Sequence, residues 1–376
     1  MIAGLSKENQ TWVEEVFQKL DEKLSKVTLR SKYKIPYSTK GGVHDNKAET
    51  DIGWWTNGFW GGLNWLMYIA TNKEVYKETA LISEEMLDRV FAIPKRLDHD
   101  AGFIWHLTAG LHYRLTGDEV AFNRNYKAAM SLMSRFNMRG SFIRAWNTDN
   151  AKGWSIIDCM MNLPILYWAS EVWQDDRFMQ VAKAHADMAM CQHVREDGSI
   201  NHIVSHDLVT GAYQESLAGQ GYAVGSSWSR GCAWAIYGFA IAYAHTNDKA
   251  YLQTAEKVAK HILENLAKTN WLPLTDFKAP ETPIKYDSTA GACIACGLLE
   301  IAKHVPQDRV PMYVSSAINL LKAMEKNWCN WGENEDSILQ MGMEAYCSQY
   351  NIPIIYGDFF FVEAILKLRN QDFLAW

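Results

Sequence analysis

The chain has 376 residues, 48% apolar and 21% charged, and its 37 Lys+Arg against 43 Asp+Glu give a net charge of -6. That composition is typical of a folded globular protein, and without a basic block it argues against nucleic acid as a partner. Polar Lys7, Glu8, Asn9 and Gln10 stand where a secretory apolar run would lie, and no segment approaches the roughly 20 apolar residues that span a bilayer, so a cytoplasmic enzyme away from the membrane is expected.

No linker or low-complexity stretch divides the chain, and a single domain over residues 1–376 is expected. Residues 9–24 form an amphipathic stretch. Five helical hairpins then follow, each an apolar helix-period segment, a turn and a second amphipathic helix. The first joins residues 63–69 through Thr71-Asn72-Lys73 to 75–80, and the second joins 110–115 through Thr116-Gly117-Asp118 to 122–133. The third joins 163–172 through Gln174-Asp175-Asp176 to 178–189, and the fourth joins 236–244 through Thr246-Asn247-Asp248 to 251–263. The fifth joins 296–304 through Pro306-Gln307-Asp308 to 313–326. Asn, Asp or Gly at these turns tolerates left-handed backbone and local side-chain hydrogen bonds. A sixth first helix, 359–368, takes the stretch 9–24 as its partner. Six unequally spaced hairpins predict an all-α, closed (α/α)6 barrel rather than an open solenoid. Strand signals at 199–204 and 271–277 are too short to anchor a sheet.

In such a ring the first helix of each pair lines the inside, and the loops leading into these helices form one rim. Five of those six loops carry an Asp: Asp51, Asp98 with Asp100, Asp158, Asp287 and Asp358. The recurrence fits helix-capping carboxylates or a rim of acids in a cleft, and for Asp287 and Asp358 the cap is preferred. Asp158 lies between Ile156-Ile157 and Cys159-Met160-Met161, where burial would raise its pKa as a general acid requires; a structural Asp with an Arg or backbone partner is equally compatible. Asp100 follows His99 and precedes the small turn Ala101-Gly102-Phe103, with Asp98 as close. Arg230, between Trp228 and Trp234, suits a carboxylate or phosphate bidentately, or packs on the Trp rings. The 16 Trp, 17 Tyr and 14 Phe fit sugar stacking or simply a large core. Seven scattered cysteines read as reduced core thiols, and the Cys293-x-x-Cys296 pair lacks the second pair of a zinc site. Neither a metal nor another cofactor is expected, since no His/Asp/Glu cluster has ligand spacing and no Gly-rich phosphate loop is present.

The runs Asp-His-Asp-Ala-Gly-Phe (98–103), Ile-Ile-Asp-Cys-Met-Met-Asn-Leu-Pro (156–164) and Ser-Trp-Ser-Arg-Gly-Cys-Ala-Trp (227–234) resemble the unsaturated glucuronyl hydrolases of glycoside hydrolase family 88. Asp287-Ser288-Thr289-Ala290 and Tyr356-Gly357-Asp358-Phe359-Phe360 extend the resemblance from about Trp55 to Glu363. The resemblance implies an (α/α)6 barrel and a substrate made by a polysaccharide lyase, a di- or oligosaccharide whose non-reducing end is a uronate with a C4=C5 double bond. It implies hydration of a vinyl ether, with Asp158 as general acid and base and Asp100 holding the ring hydroxyls. This departs from the displacement scheme of ordinary glycosidases, since the proton goes to carbon. Residue by residue it also implies substrate contacts at Trp55, Phe59, His99, Trp146, His202, Gln220, Arg230 and Trp234, with Arg230 on the uronate carboxylate and Tyr346 beside the next sugar. The chain departs from the family pattern at 214–227 and has Cys232 where many members have Gln. Residues 340–356 contain no Lys or Arg, which leans away from a strongly sulfated ligand there.

Unsaturated rhamnogalacturonyl hydrolases share that fold and chemistry and are the near rival. Sugar 2-epimerases also use (α/α)6 rings but rely on paired central histidines, whereas His106, His112, His185, His193 and His261 read as packed or surface residues. A non-enzymatic helical scaffold would have no reason to gather aromatics on one rim.

Overall fold

The structure, a computed structural model, describes residues 5–371 and 375–376. Helix α1 (Lys7–Arg30) starts on Ser6, whose hydroxyl accepts from the Asn9 amide. The hairpins are α2 (Asn57–Thr71) with α3 (Glu74–Leu87), α4 with α5 (Glu119–Met133), and α6 (Pro164–Trp173) with α7 (Asp176–Gln192). Helix α4 begins as a π-helix, Gly102–Gly110, and runs on as the α-helix Leu111–Thr116. Next come α8 (Ser229–Thr246) with α9 (Lys249–Leu266), α10 (Ser288–His304) with α11 (Val310–Trp328), and α12 (Ile355–Leu368), which pairs with α1.

Burial separates the two rings. Every residue of α10 from 288 to 302 and of α8 from 229 to 242 is buried, as expected for inner helices enclosed on all sides. Helix α9 instead buries one stripe, Tyr251, Ala255, Val258, Ile262 and Leu266, at helical spacing. Small residues let the inner helices approach: a Cβ on Gly58 of α2 would lie 2.1 Å from the Phe103 carbonyl oxygen. The ring closes because α12 packs on both α2 and α10. Helix α1 completes the sixth pair, tied by Thr28 Oγ1 to Asn64 (3.0 Å), by Tyr76 Oη to Asp21 (2.9 Å) and by Lys322 Nζ to Asn9 (2.7 Å).

Four of the five turns carry a left-handed residue, Asn72, Gly117, Gln174 or Asn247. Asp118, Asp175 and Asp248 then cap the next helix. The fifth turn differs: Val305 is extended, and α11 starts with Pro311 in its first turn, where a missing N–H costs nothing.

The loops leading into the inner helices carry all the described strands. These are the hairpins β1 (Thr39–Lys40) with β2 (Val43–His44) and β3 (Phe136–Asn137) with β4 (Phe142–Ile143), and an antiparallel sheet β5 (Trp154–Ile156), β6 (Ile203–His206), β7 (Tyr213–Leu217). A last hairpin pairs β8 (Gly342–Met343) with β9 (Tyr350–Ile352). The strand signal at 199–204 becomes β6, but its partners β5 and β7 are too short or too exposed to be read from pattern. Residues 271–277 form only isolated bridges, Leu274 with Tyr286 and Asp276 with Trp228.

Candidate active site

Two carboxylates meet at this rim. Asp158 sits in a single 3-10 turn, Ile157–Met161, between β5 and α6, and Asp100 precedes α4. Asn162 joins them: its Nδ2 donates to Asp100 Oδ1 (3.2 Å) and to the Asp158 carbonyl (3.4 Å), while its Oδ1 accepts from the Phe103 amide (2.7 Å). Sequence reasoning passed over Asn162. Its signal was a lone amide in the apolar run Cys159 to Ile165, four residues after Asp158, and a buried amide needs partners.

The proton settings of the two acids are opposite. Burial pushes Asp100 well above the usual carboxylate range, and the neighbouring charges of Asp98 and Asp158 add to it. Burial also lifts Asp98, whose Oδ1 accepts from the Asp100 amide (3.0 Å). Burial works in the same direction on Asp158, but the facing His202 imidazole, His99 and Arg230 outweigh it, and its pKa lies below the ordinary value. The expectation that burial alone raises Asp158 is therefore corrected: the sequence did not show the two imidazoles and the Arg230 guanidinium around it. His99 is kept neutral by burial, its pKa lowered to about 3, and its Nε2 stands 3.5 Å from Asp100 Oδ2.

A chain of stacked groups runs from Asp158 to the cleft. His202 Nε2 lies 3.5 Å from Asp158 Oδ1, the His202 ring lies 4.2 Å from Trp228, and the Arg230 guanidinium lies 4.6 Å over Trp228. Arg230 is not a free clamp. It pairs with Asp287 (2.6 Å) and donates to the carbonyls of Met343 and Glu344, so its charge is matched within the protein. Asp287 also caps α10, as preferred from sequence. Asp358 does not cap its own helix: it is the fourth residue of α12, and its carboxylate accepts from the Ile338 (3.0 Å) and Leu339 (2.7 Å) amides. Arg230, Trp55, Gln220, Tyr37, Trp54 and Tyr356 line a cavity of about 220 Å³.

The aromatic candidates divide by depth. Trp55 is half-buried, with its ring 5.1 Å from Tyr356 and 6.5 Å from Trp234. Phe59 and Trp234 are both 0% exposed, so they back Trp55 rather than face a sugar in this structure. Trp146 packs on Trp154 (5.9 Å) in a satellite core; its neighbour Ala145 accepts from the His99 amide (3.2 Å). Gln220 donates its amide N–H to His202 Nδ1 (2.9 Å) and its side chain to the Glu344 carbonyl (2.6 Å). Tyr346 donates its amide to the Gln220 carbonyl (2.9 Å) and lines a second cavity of about 690 Å³. Lys285 lies 4.4 Å over the Tyr346 ring. The lack of Lys or Arg in 340–356 therefore does not leave that loop without a cation, because the fold brings one from another segment.

The histidines that an epimerase would need are held by structural partners: His112 by Glu84 (3.1 Å), His185 by the Ile143 amide (2.9 Å), His193 by Ser155 (2.9 Å) and His261 by Ser227 (2.9 Å). His106 lies 3.4 Å from Asn125. Cys293 and Cys296 are buried in α10, facing the carbonyls of Ala233 and Phe360, and burial raises both thiols. Among the described residues no helix is long and apolar enough to cross a membrane.

Comparison with known proteins gives the family. The family model of Glycosyl Hydrolase Family 88 matches residues 30–245. The chain is 34% identical over 333 residues to the unsaturated glucuronyl hydrolase of Bacillus sp. strain GL1, covering 84% of this chain and 86% of that protein. It is 27% identical to the unsaturated chondroitin disaccharide hydrolase of Streptococcus pneumoniae, covering 96% and 94%. The crystal structure of the Bacillus sp. GL1 enzyme superposes with a TM-score of 0.88 at 30% identity, over 93% of this chain and 96% of that one. With its six-hairpin ring and a rim that matches the family's motifs, the chain belongs to glycoside hydrolase family 88 and is a glycoside hydrolase.

Proposed function

We propose that this enzyme removes the non-reducing-end unsaturated (C4=C5) glucuronate from lyase-produced di- and oligosaccharides by hydrating the vinyl ether. The observation that carries the reading is a buried acid, Asp100, and a partly exposed one, Asp158, with opposite proton settings, tied by Asn162 at one rim. The relatives of similar sequence are named for this activity or for its chondroitin form. Asp158 gives its proton to C4, and water adds to C5 while returning a proton to the Asp158 carboxylate. The resulting hemiketal opens through the ring oxygen, and the hemiacetal left at C1 releases the next sugar, so the uronate departs as a keto acid. Asp100, which holds its own proton, donates to a ring hydroxyl and fixes the pose. Trp55 offers its face to the flattened ring, with Phe59 and Trp234 behind it. Arg230, already paired with Asp287 and donating to the Glu344 carbonyl, lines the cavity and is the cation there for the uronate carboxylate. His99, Trp146, Gln220 and Tyr346 complete the walls around the two sugars, and the ring works as one catalytic domain. Not all seven cysteines are core thiols as the sequence suggested: Cys191 and Cys347 are exposed, and free surface thiols suit a reducing cytoplasm.

The test follows the loss of ultraviolet absorbance of the conjugated uronate with unsulfated and sulfated unsaturated chondroitin disaccharides. Decay with wild type is expected, and Asp158→Asn lowers kcat by about 10²- to 10⁴-fold while unfolding at the wild-type temperature. A folded Asp158→Asn protein with full activity refutes the mechanism. Decay only on a pectin-derived unsaturated disaccharide moves the enzyme to the rhamnogalacturonyl activity.

A further inference from the structure

His202 is fixed on every side by groups that leave one atom pointing at Asp158. Its Nδ1 accepts from the Gln220 backbone N–H at 2.9 Å, so that nitrogen carries a lone pair and no proton. The ring proton therefore sits on Nε2. Trp228 lies against the ring at a centroid distance of 4.2 Å. Gly219, at φ +56°, forms the seat: a Cβ there would come 1.9 Å from His202 Nδ1, so no side chain fits without moving the ring. His202 Nε2 and Asp158 Oδ1 are both buried, and neither makes a hydrogen bond in the free protein, yet they face each other at 3.5 Å. Hydrogen bonds of catalytic groups are commonly long in free enzymes and tighten when substrate binds.

We propose that His202 is a positioning residue rather than a sugar contact: an Nε2–H donor, its tautomer set by the Gln220 amide, that closes on Asp158 Oδ1 and leaves Oδ2 for C4 of the substrate and then for water. The inference rests on the hydration reading above and gives the 218–228 loop a role in it. The loop departs from the family pattern, but it holds the imidazole that aims the acid. Nothing in it has to move far, since 3.5 Å exceeds an ordinary hydrogen bond by only about 0.5 Å.

Two kinds of experiment test it. In ¹⁵N-histidine NMR of the free wild-type chain, with the His202 signal assigned by its loss in His202→Gln, an unprotonated Nδ1 and a protonated Nε2 are expected throughout the neutral pH range. A protonated Nδ1 overturns the proposal, and this readout stands whether or not the enzyme hydrates the disaccharide. In kinetics, His202→Leu removes the donor and is expected to lower kcat about 100-fold with KM little changed. His202→Gln, whose amide can place an N–H near the same point, restores most of that loss. Gly219→Ala, which displaces the ring with His202 still present, loses kcat as His202→Leu does. The alkaline limb of the kcat profile moves upward in His202→Leu, because Asp158 must be protonated to act and then loses one of the groups that lower its pKa, keeping Arg230 and His99, with Asp100 and Tyr356 also near it. A His202→Leu protein with raised KM and unchanged kcat, or equal losses in the Leu and Gln variants, makes His202 a sugar contact or a packing residue and overturns the proposal.

Discussion

In the proposed mechanism Asp158 gives up a proton, yet in the free enzyme its surroundings hold it below the ordinary carboxylate value. The substrate resolves this. A bound uronate brings a second negative charge beside Asp158, and a like charge raises a carboxyl pKa. At a pH between the free and bound values, binding therefore takes up a proton. Calorimetry of a saturated uronate disaccharide, which lacks the reactive double bond, in two buffers of different ionisation enthalpy is expected to show uptake of up to one proton. Asp158→Asn should show none; equal uptake by both proteins would place the proton elsewhere. At this scale the sequence was informative where one residue type carries the chemistry: Asp158 and Asp100 stood out by their neighbours. It was silent where a role depends on a partner remote in sequence. Arg230 meets Asp287 57 residues away, and Lys285 meets Tyr346 61 residues away, and no local pattern marks either encounter.

The helices were legible for a different reason: their signal is a period repeated over many residues. All six inner and six outer segments fall where the apolar spacing places them, and the turn residues Asn72, Gly117 and Asn247 take the left-handed backbone their types allow. Apart from β6, the rim strands were not, since most have only two or three residues, too few to carry a period, and β7 is exposed. Asp358 lies between these cases, because a carboxylate near a helix start looks like that helix's cap whether it binds its own amides or another segment's. Its buried carboxylate holds the Ile338 and Leu339 amides across the ring, and burial outweighs them to push its pKa up to about 7. The unfolded value is about 4. The native state thus binds more protons than the unfolded chain between these values, so the stability this group contributes is fully present below about pH 4 and is lost as pH rises through about 7. Asp358→Asn cannot titrate. The stability of wild type relative to this variant is expected to shrink as pH rises through that window and to level off above it, measured as denaturant unfolding free energies at several pH values. A gap that widens with pH reverses the sign and removes the account.

At the scale of the whole molecule, the six inner helices leave a space along the ring axis that has to be filled. Trp376 fills part of it. Its ring stacks on Phe360 (5.8 Å, 10° between planes) and meets Phe103 (5.9 Å) and Phe359 (6.0 Å) edge-on, while its Nε1 donates to Glu363 (3.1 Å). Phe103 in turn lies 5.7 Å from Trp55, so one aromatic column runs from Trp376 to the ring that faces the cavity. The column joins α4 and α12, which Trp376 ties together inside the closed ring, and this makes it sensitive to any loosening of closure. Replacing Trp376 by Ala leaves a cavity too large to collapse and removes a donor from buried Glu363. A loss of about 3–5 kcal/mol follows from the size of such deletions. For a chain of this length that lowers the thermal unfolding midpoint by about 4–6 °C. Because Phe103 also holds Asn162 through its amide, the loosened column reaches the acids: kcat/KM falls well below the unfolding temperature, whereas Trp173→Ala, at the far end of α6 and 54% exposed, leaves both quantities unchanged. A Trp376→Ala protein that melts with wild type would show that the ring closes without this column.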